Sequence, residues 1–133
     1  MANPTQQVKA EVEYHGATLR HVGDQEMFRS TCGFRRDLKV TGDINEVSFH
    51  YLKIHESKKH YHTKITEHYF VVEGEGEIEL DDKSFPIKKG DLVVIPPMVK
   101  HTSHGLPGKE LEVLIVVFPA PILAGGIKDE FFD

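Results

Sequence analysis

The stretch His60-Tyr61-His62-Thr63-Lys64-Ile65-Thr66-Glu67-His68-Tyr69-Phe70-Val71-Val72-Glu73-Gly74 decides how this chain is read. In extended backbone, side chains two residues apart share a face, so His60 and His62 stand side by side while Tyr61 turns away. Glu67 follows after four residues and opens a β-branched and aromatic run that reads as a strand. On that strand Glu67, Tyr69 and Val71 share one face, and His68 and Phe70 take the other. If the two segments are neighbouring strands, the Glu67 carboxylate meets both imidazoles.

Working outward, Gly74-Glu75-Gly76 punctuates the run and residues 77–80 resume it, which reads as a hairpin whose turn needs glycine torsions. The alternation of Glu73, Glu75, Glu77 and Glu79 reads as its solvated face. Asp81-Asp82 is a second turn, and Pro86 marks the short strand after it as an edge strand. Residues 88–91 make a third turn. The strand 92–95 stops at Pro96-Pro97, and the strongest strand, 111–118, stops at Pro119. Upstream, Val47, Phe49 and Tyr51 alternate with Ser48, His50 and Leu52 at period two. Short strands at close spacing with glycine turns predict an all-β sandwich or barrel. No segment before Gly126 has the length and period of a helix, and residues 127–133 read as a final helical turn. Residues 1–7 are polar and read as frayed.

A chain of 133 residues reads as one domain, with 39% hydrophobic and 28% charged residues. The longest apolar run, 113–118, is too short to span a bilayer, and the N-terminus lacks the basic and apolar regions of a signal peptide. One cysteine, Cys32, excludes an intrachain disulfide and fits a reducing, cytoplasmic setting. A net charge of −5 speaks against nucleic-acid and anionic-membrane partners. Nine histidines, five of them between His50 and His68, are the unusual feature.

A fourth donor has to come from elsewhere, and His101 lies just past Pro96-Pro97, at the mouth end of another strand. Three imidazoles and one carboxylate suit Fe(II), Mn(II), Co(II), Ni(II), Cu(II) or Zn(II). An ion preferring six ligands would keep two positions open for water, substrate or dioxygen. With one carboxylate the loaded site carries about one positive charge by simple counting, which suits an anionic or enolate oxygen.

At these residues the chain resembles the cupin superfamily. The first cupin motif has the form H-x-H, three or four residues, E, six residues, G, and is matched by His60, His62, Glu67 and Gly74. The other cupin motif has the form G, five residues, P, x, G, two residues, H, three residues, N, and is matched by Gly90, Pro96 and His101. Ile54, Met98 and Gly105 depart from the pattern at positions that are not ligands. The resemblance runs from about Val47 to Phe118. It implies a double-stranded β-helix, that is, a jelly-roll cupin barrel, with the metal inside near one open end. The barrel core would span about 44–119, with 1–43 as an N-terminal extension whose strands pack on the barrel or on a dimer partner. Many single-barrel members form dimers, so a homodimer is expected.

Other residues have plainer readings. His50 and His55 read as solvent-facing or hydrogen-bonded structural groups, with His50 a lesser candidate for the cavity. His15 and His21 read as surface groups, His68 points away from Glu67, and His104 is out of phase with His101. Tyr69 shares the face of Glu67 and is the candidate catalytic residue, as acid, base or hydrogen-bond donor; a core aromatic is the plainer alternative. Phe49, Tyr51, Val71, Val93, Ile95 and Val116 are candidate cavity walls. Arg29, Arg35 and Arg36 bracket Cys32 and read as a solvated basic patch on a dimer edge, or else an anion clamp. Cys32 reads as a structural thiol, and Lys58-Lys59 as a charged loop.

Two classes of function follow. One is a metal-dependent enzyme acting on a small organic substrate, dioxygenase-like as the leading class, with a sugar isomerase or epimerase beside it. The other is a non-catalytic module, binding a small molecule or closing zinc tetrahedrally for structure alone.

Overall fold

The computed structural model describes residues 8–10, 12–40, 47–119, 122–123, 126–127 and 129–133. Residues 1–7, and the barrel start expected near residue 44, lie outside them. The strands are β1 (Val12–Tyr14), β2 (Ala17–Leu19), β3 (Met27–Arg29), β4 (Gly33–Lys39), β5 (Ser48–Ile54), β6 (Thr66–Glu73), β7 (Glu75–Leu80), β8 (Lys83–Lys88), β9 (Leu92–Ile95), β10 (His101–Gly105), β11 (Glu112–Phe118), β12 (Ile122–Leu123) and β13 (Gly126–Ile127). One 3₁₀ turn, Val22–Asp24, is the only helical element among the described residues. No helix there is long and apolar enough to cross a membrane.

Two antiparallel sheets wrap into a jelly-roll barrel: six strands in the order β3-β4-β5-β11-β6-β9, and three in the order β10-β7-β8. Period-two alternation fixes what faces inward. On β11, Val113, Ile115 and Val117 are buried; on β6, Tyr69 and Val71; on β5, Leu52. Ile78 and Ile87 meet them from the small sheet. Burying each such side chain contributes roughly 1.5–3 kcal/mol, so β11, paired on both edges, anchors the fold.

Several expectations change here. Residues 67–80 are not a hairpin. β6 pairs with β11 and β9, whereas β7 pairs with β10 and β8, so the chain crosses between sheets at Gly74. The glycine is required all the same: its φ is +89°, and an added Cβ would collide with the Glu110 carbonyl. On β5 the inward phase belongs to Ser48, His50 and Leu52, which leaves Phe49 and Tyr51 half-buried on the other face. Val116 is likewise out of phase, between the buried Ile115 and Val117. The strand alternation was legible, but polar Ser48 and His50 disguised which phase was inside. Gly33–Lys39, expected within an N-terminal extension, is a strand of the large sheet paired to β5. Pro86 lies in β8, an edge strand, where a missing N–H costs no ladder bond.

The last residues are extended rather than a helical turn. Phe131 exchanges two backbone hydrogen bonds with Tyr61, each 2.9 Å, and the two rings stack with centroids 5.5 Å apart. The Asp129 carboxylate accepts from the backbone N–H groups of Thr63, Lys64 and Ile65 and from the Thr63 hydroxyl. This tail ties down the loop between His62 and Glu67.

Candidate metal centre

His60, His62, Glu67 and His101 are all buried, and one donor atom from each lies within 4.8 Å of the other three. Three segments deliver them. His60 and His101 form an antiparallel bridge, His60 N–H donating to the His101 carbonyl at 3.1 Å and His101 N–H to the His60 carbonyl at 2.8 Å. That pairing sets their rings 4.3 Å apart. His62 follows two residues after His60 in extended chain, and its carbonyl accepts from Met98 N–H. Glu67 comes from β6 of the large sheet. The His60–His62 segment is therefore not a strand beside β6, as the spacing suggested; it extends the pairing of β10 and faces Glu67 across the barrel.

The outer hydrogen bonds set the chemistry of the cluster. Each imidazole has its Nδ1 against a backbone carbonyl: His60 on Lys58 at 2.7 Å, His62 on Asp129 at 2.5 Å, His101 on Val99 at 2.9 Å. A carbonyl only accepts, so each Nδ1 carries the hydrogen. In the neutral ring the Nε2 lone pair is then bare, and all three turn toward the centre. Ligating histidines are oriented this way in metal sites. With neutral rings, four acceptors then converge: His101 Nε2 stands 2.9 Å from Glu67 Oε1 at hydrogen-bond geometry that only a protonated ring would fill, and the Cys32 thiol reaches His60 Nε2 at 3.9 Å. His62 Nε2 lies 2.9 Å from Glu67 Oε1 yet has no hydrogen bond of acceptable geometry.

Spacing adds a second test. Glu67 Oε1 is 2.9 Å from His62 Nε2 and 2.9 Å from His101 Nε2. Two donors about 2.1 Å from one ion stand about 3.0 Å apart at a right angle and about 3.4 Å apart at a tetrahedral angle. The pairs at 2.9 Å lie within reach of one centre, so these four residues could hold a divalent ion.

Without an ion, Glu67 is balanced by the rings themselves. Burial alone would raise the Glu67 carboxyl, but hydrogen bonds and charge from His101 and His62 outweigh it and hold the group well below the usual carboxylate range. Burial pushes His60 down to about 4, with the neighbouring His101 acting in the same direction. Burial also lowers His62, yet Glu67 beside it more than compensates and raises it.

Cys32 and Glu130, which the spacing did not flag, and Tyr69, which it did, complete the surroundings. Cys32 Sγ lies 3.9 Å from His60 Nε2 and 3.7 Å from Tyr69 Oη. Burial, with Glu67 nearby, pushes this thiol up to about 12, so it stays protonated at neutral pH. Tyr69 is buried with its ring edge-on to His101, and burial followed by the Cys32 neighbour raises its phenol well above the ordinary value. The tail brings Glu130, whose Oε1 is 3.6 Å from His60 Nε2. No metal-type spacing links Glu130 or Cys32 to the histidines in sequence; only the fold joins them.

The remaining candidates lie elsewhere. His15, His21, His55 and His104 are exposed, and His68 bonds the Val116 carbonyl. The three arginines form neither a solvated patch nor a common clamp. Arg29 holds the carbonyls of His55 and Glu56, and Arg36 those of Gly23 and Gln25. Arg35 is buried against Asp37, which also holds His50. His50 in turn contacts Ser48 at 2.7 Å, completing a Ser–His–Asp chain. Ser48 has no exposed surface, and Arg35 shares the aspartate, so the chain is a packed structural network.

The family pattern described as Cupin domain matches residues 48–118. A crystal structure of a protein from Planctomyces limnophilus is similar over 86% of this chain and 95% of its own, with 27% identity and a TM-score of 0.72. The Streptomyces nucleoside dehydratase Pac13, solved with uridine, shares the fold over 85% of this chain and 91% of its own, at 20% identity and a TM-score of 0.63. The uncharacterised protein MJ1618 of Methanocaldococcus jannaschii is 35% identical over 60 residues, 45% of this chain and 48% of its own. This chain thus spans about half the length of that curated relative.

Proposed function

This chain belongs to the cupin family, and from that premise we propose that it is a metal-dependent enzyme. It holds one divalent ion through His60, His62, Glu67 and His101 and acts on a small organic substrate with an anionic or enolate-type oxygen. The observation that carries this reading is the convergence of three buried imidazoles and one carboxylate, each histidine oriented from behind by a backbone carbonyl.

An ion held there supplies Lewis acidity for isomerase- or epimerase-type chemistry and, if redox-active, dioxygenase-type chemistry. The chain's own residues do the rest. Glu67 brings the formal charge of the loaded site near one positive unit, which draws an anionic oxygen. Tyr69 keeps its proton and is the hydrogen-bond donor of this reading. The β6, β9 and β11 side chains that line the barrel exclude water behind the cluster.

The test is metal content and coordination. The purified protein should carry close to one equivalent of a divalent transition ion, with water or an added anion among its ligands. Tyr69→Phe should retain the ion and lose turnover once a substrate is found, and oxygen consumption separates the dioxygenase-type reaction from the isomerase type. A chain that takes up no transition ion on titration, or one whose ion is closed by four protein ligands alone, would overturn the enzyme reading. A homodimer belongs to the same proposal: exposed Phe70, Leu92 and Val94 put apolar surface on adjoining strands at the β9 edge, and sedimentation should give twice the chain mass.

A further inference from the structure

We propose that Glu130, carried on the C-terminal tail, is a second carboxylate ligand of the ion held by His60, His62, Glu67 and His101. This rests on the metal reading above and extends it to a residue outside both cupin motifs. Glu130 sits between two anchors. Asp129 caps the 63–65 backbone, and Phe131 pairs with Tyr61, so the residue between them has little freedom. Its carboxylate is oriented as well. The Thr31 hydroxyl donates to Oε2 at 2.9 Å, which leaves Oε1 turned toward His60 Nε2 at 3.6 Å.

That separation is compatible with a shared ion. Two donors about 2.1 Å from one centre can stand at most about 4.2 Å apart. His60 has its Nδ1 on the Lys58 carbonyl, so the nitrogen facing Glu130 is the one with the free lone pair. Two acceptors do not attract each other, so the Thr31 hydroxyl sets this approach, and Glu130, outside the four residues that already converge, would turn Oε1 inward to share their ion. Two carboxylates would also make a divalent site formally neutral, which suits a buried position. Glu130 is 22% exposed, whereas the other four donors are buried, so it is the ligand an incoming anionic oxygen would exchange with.

The experiment uses the full chain and Co(II) as probe, with affinity measured by chelator competition and coordination by the visible d–d bands. Glu130→Gln should weaken Co(II) binding by about 10- to 100-fold and change the band positions and intensities. Thr31→Val, which keeps the carboxylate but frees it, should give a smaller loss in the same direction; it carries the test if Glu130→Gln does not fold. Wild-type affinity and bands in Glu130→Gln, with binding lost in Glu67→Gln, would overturn this proposal and leave the four-ligand site standing. Wild-type affinity in both Glu67→Gln and His62→Ala would overturn the four-ligand site, and this proposal with it.

Discussion

Two buried polar clusters share the inside of this barrel, and they differ in whether their contacts close. In one, Ser48 Oγ is 2.7 Å from His50 Nε2, His50 Nδ1 is 2.7 Å from Asp37, and Asp37 faces Arg35 at 2.8 Å. The aspartate balances the arginine, and both ring nitrogens of His50 have partners. In the other, His60, His62 and His101 spend Nδ1 on backbone carbonyls and turn Nε2 toward one another and toward Glu67. A buried polar network is satisfied or it is costly. The first balances its charges within the chain: Arg35 Nε lacks hydrogen-bond geometry to Asp37 but faces it as an ion pair at 2.8 Å, which marks the cluster as structural. The second has its inward nitrogens short of donors until a proton or a cation enters, which marks it as the candidate site.

The contrast breaks if the two clusters respond alike to substitution. The largest effect should be on metal binding. Structural divalent zinc binds with about 10–16 kcal/mol, shared among four ligands, so losing one costs on the order of 3 kcal/mol, about a hundredfold in affinity. His62→Ala should lose that much by chelator competition and lower the melting temperature of the loaded protein. After chelation its melting temperature should fall less than that of Asp37→Ala, because the ring removed held only the Asp129 carbonyl through Nδ1 and had no partner at Nε2. Asp37→Ala should do the reverse. It strands Arg35, which is 8% exposed, and a buried charge left unpaired costs about 3–5 kcal/mol. Its destabilisation should be the same with and without metal, and its Co(II) affinity unchanged. A metal-dependent loss in Asp37→Ala would join the clusters into one unit and remove the distinction.

The same difference explains what the sequence disclosed. The four clustered residues were legible because H-x-H in extended chain puts two rings on one face and because the resemblance to the two cupin motifs pointed to Glu67 and His101. The fold class was legible from strand alternation and glycine turns. The inward phase of β5 was not, because the closed network puts Ser48 and His50 where a hydrophobic pattern would place Phe49 and Tyr51. Nor was the crossing at Gly74, since a glycine that lets the chain change sheets reads the same as one in a hairpin. Cys32, Asp129 and Glu130 reach the site through contacts that span from 28 residues, Cys32 to His60, up to 70, His60 to Glu130, and no local spacing encodes those.

A smaller effect should come from the tail, which joins the site to the scaffold. Asp129→Ala removes an acceptor for three backbone N–H groups and one hydroxyl, without touching a donor of the cluster. Each orphaned buried donor costs about 1–3 kcal/mol, less where water reaches it. The Nδ1 partner of His62 is the backbone carbonyl of this same residue, so the anchor also orients a ligand. Asp129→Ala should lower stability by about 1–3 kcal/mol in urea unfolding and weaken Co(II) binding by about tenfold, less than His62→Ala. An intact affinity would show that the tail clamps the loop without positioning the site.

The smallest effect is a pH slope. Burial raises the Asp37 carboxyl, but the hydrogen bond from His50 and the charge of Arg35 outweigh it and bring it below its ordinary 3.8. A carboxyl with a depressed folded value contributes stability that is fully present above its unfolded value and is lost as pH falls through the folded one. Glu67 is depressed as well, so both clusters add acid sensitivity of the same sign. Asp37→Asn removes one contribution and Glu67→Gln the other. Urea midpoints of the chelated proteins, followed downward from pH 5, should fall less steeply in each variant than in the wild type. Adding Co(II) should change the slope of Asp37→Asn, whose metal cluster is intact, and leave that of Glu67→Gln near its chelated value. Identical responses to Co(II) in the two variants would mean that the ion does not read Glu67, and the open cluster would then be no more a metal centre than the closed one.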